Sequence, residues 1–116
     1  MNLNGKKILV TGGAGFIGSH LCEELLNMEG KVLAVDNLFT GKLENINSFK
    51  DNPDFQFINC DVNNETLIIE VFENFKPDYV FHYAAILGVK RVIEQPLLVL
   101  DDIAGFKNIL KLSKKF

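Results

Sequence analysis

Three glycines at positions 12, 15 and 18 lie directly after a short apolar run and open a helical pattern. At this spacing, Gly12 allows a tight turn off a strand and Gly15 lets a phosphate group approach the backbone, while Gly18 lets the helix pack close to the sheet. The amides of Phe16 and Ile17 then point outward at the positive end of the helix. This segment therefore predicts a strand, a turn that can bind an anion, and a helix.

A carboxylate lies downstream of the glycines, where Asp36 ends the second apolar run 18 residues after Gly18. A carboxylate there accepts hydrogen bonds from both hydroxyls of an adenine ribose and repels the 2'-phosphate of NADP. The next basic residue is Lys42. The glycines and the acid together predict NAD(H) as the cofactor. Two alternatives stay open: the glycines serve only the turn, and Asp36 only ends a strand before Asn37.

Four apolar runs alternate with helical patterns along the chain, at Lys6–Val10, Lys31–Val35, Phe55–Asn59 and Tyr79–Tyr83. Their length and their Val, Ile, Phe and Tyr content are typical of strands covered on both faces. Alternating strands and helices indicate right-handed βαβ units. We therefore predict one NAD-binding domain over residues 1–116. Its fold is an α/β, Rossmann-like three-layer αβα sandwich with an incomplete parallel sheet of four strands in the order 3-2-1-4.

Helical patterns fill the intervals between the runs. The first helix is predicted from Phe16 to Met28, and its apolar stripe comprises Ile17, Leu21, Leu25 and Met28. The second begins at a cap formed by Asn63 or Asn64 and ends before Pro77, with a stripe at Leu67, Val71 and Phe75. A weaker helix is predicted at Leu43–Phe49, and a long last helix from about Leu97 to Lys115.

Composition excludes several functional classes. The net charge is -3, with 12 basic and 15 acidic residues, so we expect no nucleic-acid partner. Cys22 and Cys60 form no CxxC pair, so we expect no metal site and no disulfide framework. Two cysteines of this kind suit a reducing cytoplasm. The longest nearly apolar stretch, Tyr79–Val89, is well short of the ~20 residues of a membrane span. We therefore expect a cytoplasmic protein with no membrane partner.

The segments Thr11–Leu21 and Asp36–Gly41 resemble the extended short-chain dehydrogenase/reductases, the NAD-dependent sugar-nucleotide epimerases and dehydratases such as UDP-glucose 4-epimerases and UDP-glucuronate decarboxylases. Asp61 and Val62 match the pair that flanks the adenine in this family, and residues 81–85 match the strand beneath the cofactor. The resemblance implies that the chain is the N-terminal portion of such an enzyme, which oxidises its sugar transiently at C4. The implied cofactor contacts are Gly12, Gly15, Phe16, Ile17, Gly18, Asp36, Asn37, Asp61, Val62, Tyr83, Ala84 and Ala85.

The sequence departs from this family in two respects. It contains no Tyr-x-x-x-Lys pair, since Tyr79 is followed four residues later by Tyr83, and Tyr83 by Leu87. Without the lysine the phenol keeps its proton, so we assign no catalytic residue and predict no turnover. In the last helix, the family's Asn-Val-x-Gly-Thr is replaced by residues 102–106, Asp-Ile-Ala-Gly-Phe.

The remaining aromatic, histidine and cysteine side chains are predicted to be core residues: Phe16, Phe81, Phe106, His82, Cys22 and Cys60. The fourth strand would form an edge, and the last helix has an apolar stripe at Val99, Ile103, Phe106 and Leu110, with Leu98, Ile109, Leu112 and Phe116 partly off it. We therefore expect a homodimer or higher oligomer. A dinucleotide-binding or interaction module without chemistry of its own stays the alternative function.

Overall fold

The computed structural model describes residues 3–84 and 107–115. Its strands are β1 (Lys7–Thr11), β2 (Lys31–Asp36), β3 (Phe55–Asn59) and β4 (Tyr79–His82). Its helices are α1 (Phe16–Asn27), α2 (Glu65–Phe75) and α3 (107–115), with a 3-10 helix at Leu43–Ile46. The strands pair in parallel in the order β3-β2-β1-β4, which confirms the predicted topology.

Each face of the sheet carries its own apolar core, because successive residues of a strand point to opposite faces. On one face, alternate residues of β1 and β2 pack with α1 and with the segment that follows β2, in a cluster that includes Ile8, Val10, Val32, Ala34, Cys22, Leu25 and Phe49. On the other face, the intervening residues pack with α2 and α3, in a cluster that includes Leu9, Leu33, Val35, Ile68, Phe72, Ile109 and Leu112. The predicted three-layer sandwich is therefore confirmed.

Only the two central strands are covered on both faces. Residues 8–11 of β1 and 32–36 of β2 are all buried. The outer strands differ from the prediction, since Ile58 of β3 is 40% exposed and Tyr79 of β4 is 49% exposed. Phe81 of β4, predicted to be a core residue, is 36% exposed, so that prediction was wrong. The physical reason is position, because in this order β3 and β4 each have a strand neighbour on one side.

The helices are packed by stripes that differ in part from the predicted ones. Ile17 is 63% exposed, and α1 is buried through Gly18, Ser19, Cys22 and Leu25. Leu67 is 43% exposed, and α2 is buried through Ile68, Val71 and Phe72. The buried positions of α2 keep the helical spacing of three and four residues and share Val71 with the predicted stripe, but Ile68 is buried in place of Leu67. Phe16, a predicted core residue, is 76% exposed, whereas Cys22 and Cys60 are buried as predicted.

In α3 the buried residues are Ile109 and Leu112, while Leu110, assigned to the predicted stripe, is 56% exposed. The stripe positions Val99, Ile103 and Phe106, the departure at 102–106 and the predicted start near Leu97 lie outside the described residues. The segment predicted as a weak helix at 43–49 is a 3-10 helix at Leu43–Ile46, followed by turns. Within the described ranges, no helix is long and apolar enough to cross a membrane.

Candidate dinucleotide site

The turn after β1 is closed by its own backbone. The amide of Gly12 donates to the carbonyl oxygen of Val35 at 2.8 Å, and the amide of Gly15 donates to the carbonyl oxygen of Gly12 at 3.0 Å. Gly12 has a φ of 69°, a left-handed conformation that favours glycine. A Cβ at this position would also lie 2.7 Å from the carbonyl carbon of Tyr83. The position therefore requires glycine for its conformation and for its contact with the end of β4.

Gly18 and Gly15 have different surroundings. A Cβ at Gly18 would overlap the carbonyl oxygen of Gly12 and lie 2.9 Å from its carbonyl carbon. Gly18 thus brings the first turn of α1 against the glycine turn, whereas the sequence had predicted a contact between helix and sheet. A Cβ at Gly15 would meet one described atom within 4 Å, the carbonyl oxygen of Gly12 at 3.2 Å. Among the described residues, none fills the side of Gly15 that faces away from this carbonyl.

The N-terminus of α1 has no side-chain cap. Its N-cap residue, Gly15, offers no acceptor, and the first turn contains no acidic residue. The first amides of a helix lack intrahelical partners and carry the positive end of the helix dipole. The side chains of Phe16 and Ile17 are 76% and 63% exposed, so this turn reaches solvent. Backbone N–H groups arranged in this way bind phosphates and other anions.

Asp36 ties the glycine turn to the end of β2. One carboxylate oxygen accepts a hydrogen bond of 3.0 Å from the amide of Ala14, and the other accepts one of 2.8 Å from the amide of Leu38. The side chain is 7% exposed. The turn-forming role that the sequence left open is therefore present in the structure. A carboxylate offers about four acceptor positions, so two remain for other donors.

Asn45 and Gly41 also pack against this turn, and sequence reasoning assigned neither of them a contact with it. The carbonyl oxygen of Ala14 accepts hydrogen bonds from the amide of Lys42 at 3.0 Å and from Nδ2 of Asn45 at 2.8 Å. A Cβ at Gly41 would lie 2.6 Å from the carboxylate of Asp36. Gly41 belongs to the quoted family-like segment, but the Asn45 contact spans 31 residues and leaves no local signal.

Thr11 connects the end of β1 to the end of β4. Its Oγ1 accepts hydrogen bonds from the amides of Tyr83 at 3.0 Å and Ala84 at 3.2 Å, and lies 2.6 Å from Nδ1 of His82. The Thr11 side chain and the His82 ring are therefore hydrogen-bonded to each other, beside the two backbone amides. His82 is therefore half-buried in a polar network, where the sequence had predicted a core residue.

The turn between β3 and α2 is closed by a backbone hydrogen bond of 2.9 Å, from the amide of Asn64 to the carbonyl oxygen of Asp61, and by side chains. Oδ1 of Asp61 accepts a hydrogen bond of 2.9 Å from the amide of Asn63, and Oδ1 of Asn64 caps α2 by accepting one of 3.2 Å from the amide of Leu67. This resolves the predicted cap in favour of Asn64. Val62 is 5% exposed, and its carbonyl oxygen accepts a hydrogen bond of 3.1 Å from Nδ2 of Asn108 in α3.

The predicted site residues come from one edge of the sheet, because parallel strands end together. Asp36, Asp61 and Tyr83 lie at or just after the ends of β2, β3 and β4. Oδ1 of Asn37 accepts a hydrogen bond of 3.0 Å from the amide of Phe39. Ala85 lies outside the described residues. The structure therefore places the described candidates at the edge where α/β folds bind their ligands.

Neither cysteine has the properties of a nucleophile. Burial raises the pKa of the Cys22 thiol to about 12. Burial, and then the negative charge of Asp61, raise the pKa of the Cys60 thiol as well. Both side chains thus stay protonated at neutral pH. In the part of the chain that the structure describes, no group of three or more His, Cys, Asp or Glu side chains could hold a metal ion.

Comparison with known proteins shows the family. The family model described as GDP-mannose 4,6 dehydratase matches residues 9–116. The dTDP-glucose 4,6-dehydratase of Salmonella typhimurium is 34% identical over 113 residues, which cover 95% of this chain and 31% of that protein. UDP-glucuronic acid decarboxylase 2 of Arabidopsis thaliana is 36% identical over 112 residues, or 96% of this chain and 24% of that protein.

Among solved structures, a Thermus thermophilus UDP-glucose 4-epimerase in complex with NAD superposes with a TM-score of 0.84 and 37% identity, over 94% of this chain and 34% of that one. The chain spans about a quarter to a third of the length of these three relatives. The resemblance based on the glycine turn and the segments after it is confirmed: the chain belongs to the GDP-mannose 4,6-dehydratase family and matches the N-terminal portion of epimerases, dehydratases and decarboxylases of nucleotide sugars.

Proposed function

We propose that this chain binds NAD(H) at the carboxyl edge of its sheet, as the cofactor-binding portion of an enzyme that transiently oxidises a nucleotide sugar at C4. The observation that carries the proposal is the open N-terminus of α1, where Gly15 provides neither a capping side chain nor a Cβ. The NAD complex of the Thermus thermophilus relative supports it, since that structure shares the fold over nearly the whole chain.

The residues fit the parts of the dinucleotide in turn. The amides of Phe16 and Ile17 would hold the pyrophosphate, because they lie at the uncapped helix end. Asp36, followed by Asn37, would receive the adenine ribose through its remaining acceptor positions. When bound, the nicotinamide supplies the hydride acceptor for oxidation of a sugar hydroxyl.

Residues at two other strand ends would also contact the cofactor. Asp61 and Val62 would flank the adenine, as the family resemblance implies. Tyr83, Ala84 and Ala85 would lie beneath the cofactor, as the resemblance also implies. Thr11 supports this second contact, because its hydroxyl holds the backbone amides of Tyr83 and Ala84.

Asp36 favours NAD over NADP through its charge. Its two described hydrogen-bond donors are backbone amides, and neither described ion pair, Lys42–Glu44 or Lys111–Glu65, involves it. The negative charge of the carboxylate is therefore not balanced by a described cation. A 2'-phosphate at the adenine ribose would meet this charge at close range.

The finer proposals concern the chain by itself. The printed sequence has no Tyr-x-x-x-Lys pair, so we propose that it binds the cofactor without turning over a nucleotide sugar. Assays of 4-epimerisation and dehydration of UDP-, dTDP- and GDP-sugars with added NAD should stay at background.

We also propose a cytoplasmic location, which suits the two free cysteines. We further propose that the chain forms a homodimer or higher oligomer, which light scattering over a dilution series tests.

The deciding experiment is calorimetric titration of the chain with NAD and with NADP. We expect NAD to bind more tightly by at least about tenfold, or about 1.4 kcal/mol. Asp36→Asn removes the charge and keeps one of the two acceptor oxygens, and Asp36→Ala removes both; each should reduce this preference, with a loss of stability that is larger in Asp36→Ala. Equal or tighter NADP binding by the unaltered chain, or a preference that survives in both variants, would overturn the assignment of Asp36.

A further inference from the structure

Helix α3 contacts the turn after β3 through one side-chain amide. Nδ2 of Asn108 donates a hydrogen bond of 3.1 Å to the carbonyl oxygen of Val62, 46 residues earlier in the chain. The neighbours of Asn108 on α3, Ile109 and Leu112, are each 4% exposed and share a core cluster with Val62. Apolar packing therefore holds α3 against this turn and places the Asn108 amide.

The peptide unit between Val62 and Asn63 is held at both ends. Its carbonyl oxygen accepts the hydrogen bond from Asn108, and its N–H, which belongs to Asn63, donates at 2.9 Å to Oδ1 of Asp61. The C=O and N–H of a trans peptide lie in one plane and point in opposite directions. Fixing the carbonyl therefore orients the N–H, and the N–H holds one oxygen of the Asp61 carboxylate.

We propose that Asn108 is a positioning residue for adenine recognition, because it orients the Asp61 carboxylate through this peptide unit. The inference rests on the proposed function, in which Asp61 and Val62 flank the adenine. An ionised carboxylate only accepts hydrogen bonds, and the donor on the base edge of adenine is its 6-amino group. Asp61 therefore recognises adenine through its 6-amino group. The hydrogen bond from Asn108 keeps the peptide unit, and with it the Asp61 carboxylate, in the orientation that this contact needs.

A purely structural role for Asn108 makes a different prediction. A hydrogen bond that only fastened α3 to the body of the protein would weaken the binding of every dinucleotide alike when removed. Nicotinamide hypoxanthine dinucleotide has an oxo group in place of the 6-amino group of NAD. The ratio of the two affinities therefore isolates recognition of the amino group from general damage to the site.

The test is calorimetric titration of NAD and nicotinamide hypoxanthine dinucleotide into the chain and three variants. We expect the unaltered chain to prefer NAD by about tenfold, as for one hydrogen bond to a charged group. Asn108→Leu removes the donor at similar size, and Asn108→Asp replaces it with an acceptor; in both, the ratio should approach one. Lys111→Ala is the matched control on α3, since its 3.5 Å ion pair with Glu65 is exposed and the ratio should be kept.

Hydrogen exchange gives a second measurement that needs no ligand. The Asn63 amide should exchange faster in Asn108→Leu and Asn108→Asp than in the unaltered chain, and at an unchanged rate in Lys111→Ala. Unchanged exchange in both Asn108 variants would contradict the inference, even if one of them bound no dinucleotide.

The titration outcomes separate this inference from the proposed function. If the unaltered chain binds neither dinucleotide, the proposed function fails, and the inference fails with it. If the chain binds NAD but shows no preference, or if the Asn108 variants weaken both dinucleotides equally, the inference alone is wrong.

Discussion

Two turns at the same edge of the sheet lead into helices, and the two helices begin differently. The turn before α1 is closed by backbone hydrogen bonds around Gly12, and the helix begins at Gly15 without a side-chain cap. In the turn before α2, side chains add to a backbone hydrogen bond: the Asp61 carboxylate accepts from the amide of Asn63, and Asn64 caps the helix. The first turn of α2 also contains an acidic residue, Glu65.

This difference separates a helix end available to a ligand from one that is already satisfied. In α2, the side-chain oxygen of Asn64 occupies an N-terminal amide and the charge of Glu65 opposes an anion. In α1 neither is present. A glycine at the N-cap position costs α1 some stability, because a capping side chain would stabilise the helix. The helix that begins with the weaker cap, α1, is therefore the one whose N-terminus is suited to binding an anion.

The largest effect that tests this comparison is expected at Gly18. In Gly18→Ala, the new Cβ overlaps the carbonyl oxygen of Gly12, so the glycine turn or the first turn of α1 must move. We expect a loss of about 2–3 kcal/mol in the free energy of unfolding, measured by urea denaturation, as for an overpacked core site. Gly15→Ala is the matched control, since its Cβ meets one atom at 3.2 Å and should cost less. Similar losses in both variants would contradict the assigned packing role.

A smaller effect, on binding and not on folding, is expected when α1 is given a cap like that of α2. Gly15 has an extended backbone, with φ -76° and ψ 173°, which an N-cap aspartate adopts readily. Gly15→Asp should therefore keep the free energy of unfolding within about 1 kcal/mol. The carboxylate should weaken NAD binding by more than about tenfold in calorimetric titration, because it occupies the phosphate position and repels the negative charge of the pyrophosphate. Unchanged NAD affinity would show that the pyrophosphate binds elsewhere.

The smallest effect is expected from removing the cap of α2. Asn64→Ala deletes the acceptor of the Leu67 amide and should lower the free energy of unfolding by about 1 kcal/mol. NAD affinity should stay within about twofold, since this helix end is not assigned to the phosphate. Asn64→Ser, which can still cap the helix, should restore most of the stability. A drop in NAD affinity as large as that in Gly15→Asp would show that the two helix ends do not have separate roles.

Much of the fold could be predicted because it depends on local pattern. Parallel pairing follows from alternating strands and helices, and the strand order from the doubly wound fold that the glycine turn indicates. The glycine turn and the α2 cap follow from residues a few positions apart. Exposure was harder to predict. Phe81 belongs to a run whose composition is typical of a buried strand, yet that strand is an outer one and Phe81 is 36% exposed. Leu67 and Ile68 are both apolar, and packing alone decides that Ile68 is the buried one.

The parts of the site that sequence reasoning missed are contacts between distant residues. The amide of Asn45 reaches the carbonyl of Ala14 across 31 residues, and that of Asn108 reaches Val62 across 46. An asparagine side chain has no periodic pattern, and its partner here is a backbone group that every residue possesses. Such contacts become visible only when the fold brings the two segments together.

The contact between the glycine turn and β4 also limits how related chains can exchange segments. A side chain at position 12 has no room beside the backbone of Tyr83, and the hydroxyl of Thr11 accepts hydrogen bonds from the two amides that follow β4. These residues form one inherited unit, although more than 70 positions separate them. A hybrid gene that took residues 7–18 from one parent and 79–84 from another would have to keep glycine at position 12, because the backbone of Tyr83 leaves no room for a side chain, and would have to keep Thr11 paired with His82. Recombination between the two segments is thus constrained by geometry that neither segment reveals alone.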